Sequence, residues 1–234
     1  MIRDNLVSCQ ERCAAAARRS GRDPGQVALV AVTKGVGLDR VEEAVAAGVT
    51  HVGENRIQET LLKYERLNRY ARERGAALRW HLVGHLQTNK VSDAVRLFDV
   101  IHSVDSARLA EAIEKRAGQM GKVQEIFLEV NVSGEASKYG WGVDEVAKAL
   151  PGIASLPHVR ATGLMTVAPQ ADDAEQARPF FRRLRELRDA LSGPRTSDLG
   201  LRELSMGMTD DFEVAVEEGA TFVRLGRALF GERP

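Results

Sequence analysis

The sequence predicts a (β/α)8 TIM barrel with an extra N-terminal helix, and three observations predict it. Short β-branched or apolar runs recur eight times. Segments with helical spacing separate them. The first turn, Thr33-Lys34-Gly35-Val36-Gly37, lacks the G-x-G-x-x-G spacing of the rival doubly wound open sheet. The runs are 27–33, 50–53, 80–83, 100–103, 125–131, 160–165, 203–205 and 222–225. They recur roughly every 28 residues, a compact spacing for this fold.

An amphipathic helix over 2–19 precedes the first run. Leu38, Val41, Ala44 and Val45 form one apolar stripe, with Gly48 following as a C-cap. Leu109, Ala112, Ile113 and Ala117 form another, with Asp105 as the expected N-cap. Phe180, Leu184, Leu187 and Leu191 form a third, and the basic run 178–188 reads as that helix's solvated side. Residues 192–197 read as a surface loop. No stretch reads as a linker, so one domain over 1–234 is expected.

Composition limits the function classes. Of 234 residues, 44% are apolar and 28% charged, an ordinary balance for a globular chain. Basic and acidic side chains number 33 each, and this zero formal charge argues against a nucleic-acid or anionic-membrane binder. No apolar run approaches the roughly 20 residues of a membrane helix. The N-terminus lacks the apolar core of a secretory signal. A cytoplasmic monomer is expected. Cys9 and Cys13 are too few for a disulfide framework and read as one helix face.

In such barrels, function gathers at the C-terminal ends of the strands. Lys34 follows the first strand, Glu54 and Asn55 the second, and Ser205, Met206 and Gly207 the seventh. Gly226 and Arg227 follow the eighth. A lysine over an apolar interior is desolvated, which disfavours its ammonium and leaves an amine able to attack an aldehyde. The plainer alternative is a rim lysine paired with Glu54. Loops after strands seven and eight often bind phosphate. Ser205 can offer its hydroxyl, Met206 and Gly207 their backbone N–H groups, and Gly226 with Arg227 opens a short helix over 227–230. Glycines at 207 and 226 let a phosphate approach closely. Together these groups suggest a phosphorylated aldehyde. Arg224 stands two residues before Gly226, so strand alternation points both inward, where an arginine needs a partner; the plainer alternative is an outward, helix-facing arginine paired with a carboxylate.

Other polar residues take structural readings. His51, His102 and His158 read as structural or exposed, His81 as packing, and His85 starts the loop after the third strand. Trp80 and Trp141 read as packing groups. Asp172-Asp173 and Asp210-Asp211 read as helix caps facing water.

From 27 to 233 the motifs, in order, resemble those of the pyridoxal phosphate homeostasis proteins, small relatives of the alanine racemase N-terminal barrel. Ala31-Val32-Thr33-Lys34 resembles the cofactor-lysine segment, and Gly53-Glu54-Asn55-Arg56-Ile57-Gln58-Glu59 the G-E-N-x-x-Q-E stretch. Trp80-His81-Leu82-Val83-Gly84-His85-Leu86-Gln87-Thr88-Asn89-Lys90 is similar to W-H-x-x-G-x-L-Q-x-N-K. Asn131-Val132-Ser133-Gly134-Glu135, Gly163-Leu164-Met165, Ser205-Met206-Gly207-Met208 and Arg224-Leu225-Gly226-Arg227 complete the set.

The resemblance implies that Lys34 carries pyridoxal 5′-phosphate as an internal aldimine. It implies that Ser205, Gly207, Gly226 and Arg227 hold the phosphate, that Arg224 faces the pyridine nitrogen, and that Asn55 lies near the ring. Arg227 replaces a small hydroxyl residue common in relatives, and Gly35-Val36-Gly37 replaces a proline-containing turn. An arginine at the pyridine nitrogen keeps it unprotonated, so the ring is a poor electron sink. A racemase also needs a second acid/base, supplied in alanine racemases by an added domain that this sequence, ending at Pro234, is expected to lack. Tyr64, Tyr70 and Tyr139, the chain's three tyrosines, carry no motif placing them over the ring. The expected function is a non-catalytic carrier that buffers the cofactor and delivers it to apo-enzymes that need it. The alternatives are a barrel-only racemase or lyase, and a cofactor-free lysine aldolase acting on a sugar phosphate.

Overall fold

The protein is described by a computed structural model covering residues 1–135, 138–192 and 200–232. Eight parallel strands close one barrel in chain order. They are β1 (Ala28–Val32), β2 (His51–Glu54), β3 (Arg79–Leu82), β4 (Val100–Val104), β5 (Gln124–Glu129), β6 (Val159–Met165), β7 (Glu203–Ser205) and β8 (Phe222–Leu225). Closure runs through β1 and β8, with Ala28 opposite Phe222 and Ala31 opposite Leu225.

The period of two along each strand separates two apolar layers. Outward residues such as Ala31, Val52, Leu82, Leu128 and Leu204 pack under the helices. Inward residues Val30, Val100, Phe127, Met165 and Phe222 form a small cluster inside the barrel. The expected strands appear with shifted ends. β5 stops at Glu129, short of the expected Asn131, because Asn131 Oδ1 accepts a hydrogen bond from Gly134 N at 2.9 Å and turns the chain.

The helices are α1 (Ile2–Arg19), α2 (Leu38–Ala46), α3 (Ile57–Arg72), α4 (Val91–Leu97), α5 (Ala107–Gln119), α6 (Val143–Ala154), α7 (Arg178–Leu191), α8 (Phe212–Glu217) and α9 (Arg227–Phe230). No helix among the described residues is long and apolar enough to cross a membrane. α1 buries Ile2, Leu6, Cys9, Cys13, Ala16 and Ala17. Burial pushes the Cys13 thiol up to about 12, so this buried cysteine behaves as a small apolar side chain. Arg12 and Arg19 tie α1 to Glu213 and Glu217 of α8, and Asn5 Nδ2 donates to Leu229 O of α9 at 3.0 Å. The N-terminal helix thus braces the turns after β7 and β8.

Three expectations need correction. Ser106, not Asp105, caps α5, its Oγ accepting from Leu109 N, because Asp105 turns toward His85 instead. On α7 the fully buried residues are Phe181 and Leu184, while Phe180 and Leu187 are half-buried. The basic run of α7 is not merely solvated: Arg178, Arg182 and Arg185 converge on the buried carboxylate of Glu218 at 2.8–3.2 Å. Of the expected 192–197 loop, residues 193–197 lie outside the described residues.

Burial alone would raise the Glu218 carboxyl, but hydrogen bonds from Arg182 and Arg178 and the charge of Arg185 outweigh it and pull it below the usual range. A depressed carboxyl stabilises the fold above its unfolded value, about 4.3, and that stability is lost as pH falls through the folded value. The stability advantage of the natural chain over Glu218→Gln should therefore be full at neutral pH and shrink below about pH 4.3, as urea midpoints measured across pH will report.

Candidate functional site

The end of β1 is clamped from three sides. Thr33 N donates to Gly53 O of β2 at 2.9 Å, and Lys63 Nζ of α3 donates to Thr33 O at 2.7 Å. Thr33 Oγ1 donates to Glu54 Oε1, which also accepts from Lys63 Nζ at 2.7 Å. Just beyond, Gly35 takes a left-handed turn, φ +70°, and its N–H reaches Glu59 Oε2 at 3.1 Å. Lys34 lies between these anchors. Its backbone is held while its half-buried side chain faces two adjoining cavities. Glu54 is therefore the partner of Lys63, not of Lys34. The sequence reading missed Lys63, whose place on the inner face of α3, among Ile57, Leu67 and Ala71, becomes visible only once the helix is laid against β2.

Burial pushes the Glu54 carboxyl up, and the hydrogen bonds from Lys63 and Thr33 oppose that shift. Its second oxygen, Oε2, is buried with no partner among the described residues. A buried carboxylate in this position depends on its cation.

One cavity, about 370 Å³, is lined by Lys34, Asn55, Val83, Val167, Arg224 and Gly226, with Met208 and Arg227 at its edge. That volume lies within the roughly 300–1,000 Å³ of small-molecule sites. A neighbouring cavity of about 380 Å³ shares Lys34 and Asn55 and adds Arg56, His85 and Lys90. His85 stacks on Tyr139 at 3.9 Å between ring centres, and its Nδ1 lies 3.3 Å from Asp105. Between the cavities the β2 and β3 turns touch: a Cβ on Gly84 would sit 2.4 Å from Asn55 O, so this glycine is required by contact.

The turns after β7 and β8 depart from expectation in detail. Ser205 is fully buried, and its Oγ lies 2.7 Å from Arg224 Nη1 and 2.8 Å from His102 Nδ1. Its hydroxyl is thus committed to the barrel interior and unavailable to a phosphate at the rim. Met206 is buried, and its N–H donates to Phe222 O at 3.1 Å, so it too is spent on the fold. Gly207 has φ +91°, and a Cβ there would strike Ala215 Cβ at 2.5 Å. Packing under α8, rather than ligand approach, demands that glycine. Gly226 is different. A Cβ there would meet nothing closer than Val32 O at 3.6 Å, and its φ is ordinary, so the space beside it is open cavity. Among the described residues, the N–H groups of Gly207, Gly226 and Arg227 donate to no other protein group. Arg227's side chain pairs with Asp210 and Glu232, and its backbone N–H stays open toward the cavity. Asp210 therefore serves as a salt-bridge partner, and Asp211 accepts from Met208 N at 2.6 Å, half-buried rather than facing water.

Arg224 points inward, 5% exposed, with Nη2 donating to Thr166 O at 2.9 Å. Burial lowers its guanidinium to about 10, against the pull of Asp211 and Glu129, so it remains a cation at neutral pH. Burial, together with the charge of Asp105, pushes the Glu129 carboxyl up to about 7. No cluster of three or more metal-ligating side chains occurs among the described residues.

Replacing Lys63 by Met should cost about 3–5 kcal/mol, because Glu54 is then left buried without its cation. Adding Glu54→Leu to that variant should recover most of the loss, as urea unfolding of the two variants will measure.

The geometry can be set against known proteins. The profile of the family described as "Alanine racemase, N-terminal domain" matches residues 5–234. The pyridoxal phosphate homeostasis protein of Aquifex aeolicus (strain VF5) is 44% identical over 230 residues, 98% of this chain and 97% of that protein. Its counterpart in Escherichia coli (strain K12) is 34% identical over 235 residues, covering 99% and 97%. The solved structure of PipY from Synechococcus elongatus with PLP bound superposes with a TM-score of 0.83 at 37% identity, over 99% of this chain and 100% of that one. An alanine racemase of Clostridium difficile shares the fold alone, at 15% identity and a TM-score of 0.71. With a closed eight-stranded barrel and near full-length identity to these relatives, the chain belongs to the pyridoxal phosphate homeostasis protein family.

Proposed function

We propose that this chain binds pyridoxal 5′-phosphate on Lys34 and acts as a carrier of it, without robust turnover of its own. The observation that carries this reading is the make-up of the 370 Å³ cavity. One amine, one inward cation and an open glycine edge with free N–H groups meet in it. Those groups match the three ends of the cofactor: an aldehyde, a ring nitrogen and a phosphate. The cradle at Gly226, which a side chain would fill and no packing contact requires, supports the phosphate end. The full-length relatives named for pyridoxal phosphate homeostasis, and the bound PLP of PipY, support the ligand's identity.

Lys34 would hold the cofactor through its amine, the group suited to condense reversibly with an aldehyde. The clamp on Thr33 holds the lysine backbone at the cavity. Gly226 and Arg227 offer backbone N–H donors to the phosphate, and Gly207 adds another. Asn55 lies on the wall shared by both cavities, within reach of the ring. Arg224 would meet the ring nitrogen with donors only, and an arginine does not give up its proton near neutral pH. The cofactor, when bound, would supply the drawing of electrons from a substrate carbon, and a donor-only neighbour at its nitrogen would weaken that service. Val32, Val83, Val167 and Met208 make much of the remaining wall apolar, and the carboxylate among the lining residues, Asp210, is paired with Arg227. Both features favour holding the cofactor over turning over an amino acid. Apo forms of pyridoxal-phosphate enzymes are the natural recipients, and a cytoplasmic monomer suits that role.

The purified protein should be yellow with one equivalent of cofactor, and borohydride reduction followed by peptide mapping should label Lys34. Lys34→Ala should lose the visible band entirely. Label on another lysine, or sustained amino-acid turnover by the natural protein that Lys34→Ala abolishes, would overturn the reading. Arg227→Thr keeps the backbone donor and breaks only exposed ion pairs, each worth about 0–1 kcal/mol. Its cofactor affinity should stay within about tenfold of the natural chain by titration.

A further inference from the structure

Three histidines inside the barrel form one hydrogen-bonded file. His51 Nδ1 lies 2.9 Å from His81 Nε2, His81 Nδ1 lies 2.8 Å from His102 Nε2, and His102 Nδ1 lies 2.8 Å from Ser205 Oγ. The file begins at half-buried His51 at the start of β2 and crosses β3 and β4 before reaching β7. It ends on the hydroxyl to which Arg224 donates at 2.7 Å. His81 and His102 are fully buried, and His102 stacks on Phe127 with ring centres 4.4 Å apart. Burial, reinforced by neighbouring cations and rings, holds both well below the usual imidazole value, so both are neutral near pH 7.

A neutral imidazole has one N–H and one bare nitrogen. Each link joins the Nδ1 of one ring to the Nε2 of the next, and each link needs one hydrogen. The three rings must therefore share one tautomer. If all carry hydrogen on Nδ1, His102 and Arg224 both donate to Ser205 Oγ, and the hydroxyl hydrogen has no acceptor among the described residues. A buried, unmade O–H costs about 1–3 kcal/mol. If all carry hydrogen on Nε2, Ser205 donates to the bare Nδ1 of His102 and turns its lone pairs to Arg224. Every donor from Ser205 to His81 then has an acceptor, and the one N–H left over, His51 Nε2–H, lies at the half-buried end of the file rather than in its buried part.

We propose that His51, His81 and His102 are a single-tautomer file, protonated on Nε2, that positions Arg224 in the cavity by fixing Ser205 as its acceptor. Held between Ser205 Oγ and Thr166 O, the guanidinium has one orientation toward whatever the cavity holds. His102 is a positioning residue, acting through Ser205 and Arg224. The consequence for a bound cofactor rests on the function proposed above; the tautomer pattern does not.

Two measurements separate these. Long-range proton–nitrogen correlation spectra of the ¹⁵N-labelled full-length protein at pH 7, without added cofactor, should show all three rings neutral with hydrogen on Nε2. An Nδ1–H form, an averaged tautomer or a charged ring at His81 or His102 would overturn the proposal. With one equivalent of pyridoxal phosphate, His102→Phe should shift the visible absorption maximum, because Ser205 loses the acceptor that orients it. His102→Asn, whose Oδ1 can replace Nδ1, should restore the natural maximum. Ser205→Ala, which adds no bulk, should reproduce the shift and replaces His102→Phe should that variant fail to fold. Equal shifts in the Phe and Asn variants, or no shift in Ser205→Ala, would refute the positioning role. If the natural chain itself shows no visible band, the carrier reading fails, and the tautomer spectra still decide the file.

Discussion

A guanidinium in the middle of a barrel constrains what surrounds it. Arg224 can only donate hydrogen bonds, and it is removed from water, so acceptors must come to it. The structure supplies two from neighbouring strands, Ser205 Oγ of β7 and Thr166 O just past β6. Carboxylates at Asp211 and Glu129 help keep it charged. Meeting this demand commits Ser205, and through it the histidines beneath. The seventh and eighth strands thus divide their labour: side chains satisfy the buried cation, and the backbone after them is left to face the cavity.

The other side of the cavity solves a related problem by another route. A functional lysine needs a fixed backbone and a free side chain. The Thr33–Glu54–Lys63 cluster ties β1, β2 and α3 together immediately before Lys34 and takes up the carboxylate that would otherwise be its partner. Lys34 keeps its amine for the cavity because Lys63 neutralises Glu54. A buried ion pair of this kind adds little to stability against an apolar replacement, but it is costly to break in half. Its value here lies in specifying which lysine is paired and which is open.

The carrier reading follows from how these two sides differ. On that reading the lysine side would allow covalent attachment, while the arginine side, offering donors only, would withhold the ring protonation that amino-acid chemistry exploits. An amine in such a place would hold an aldehyde reversibly, as the proposed carrier role requires. The braces from α1 to α8 and α9 fix the turns after β7 and β8, so a ligand seated there would not have to order them.

The eight strands and their order, the inward turn of Arg224, the place of Lys34 at the end of β1 and the short helix at 227–230 were all legible in the chain. They depend on local periodicity, and an alternation of two or a stripe of 3.6 is written in consecutive residues. What the sequence alone determined was therefore which residues reach the rim and which way they face. Only the tertiary structure decided how those residues are shared. It gave Glu54 to Lys63, committed the Ser205 hydroxyl to the barrel interior and the Met206 N–H to Phe222, made Gly207 a packing requirement, and joined three histidines read separately as structural or packing groups. The physical reason is that a hydrogen-bond acceptor or a countercharge serves whichever donor lies nearest in space, and closing the barrel sets those distances between residues far apart in the chain.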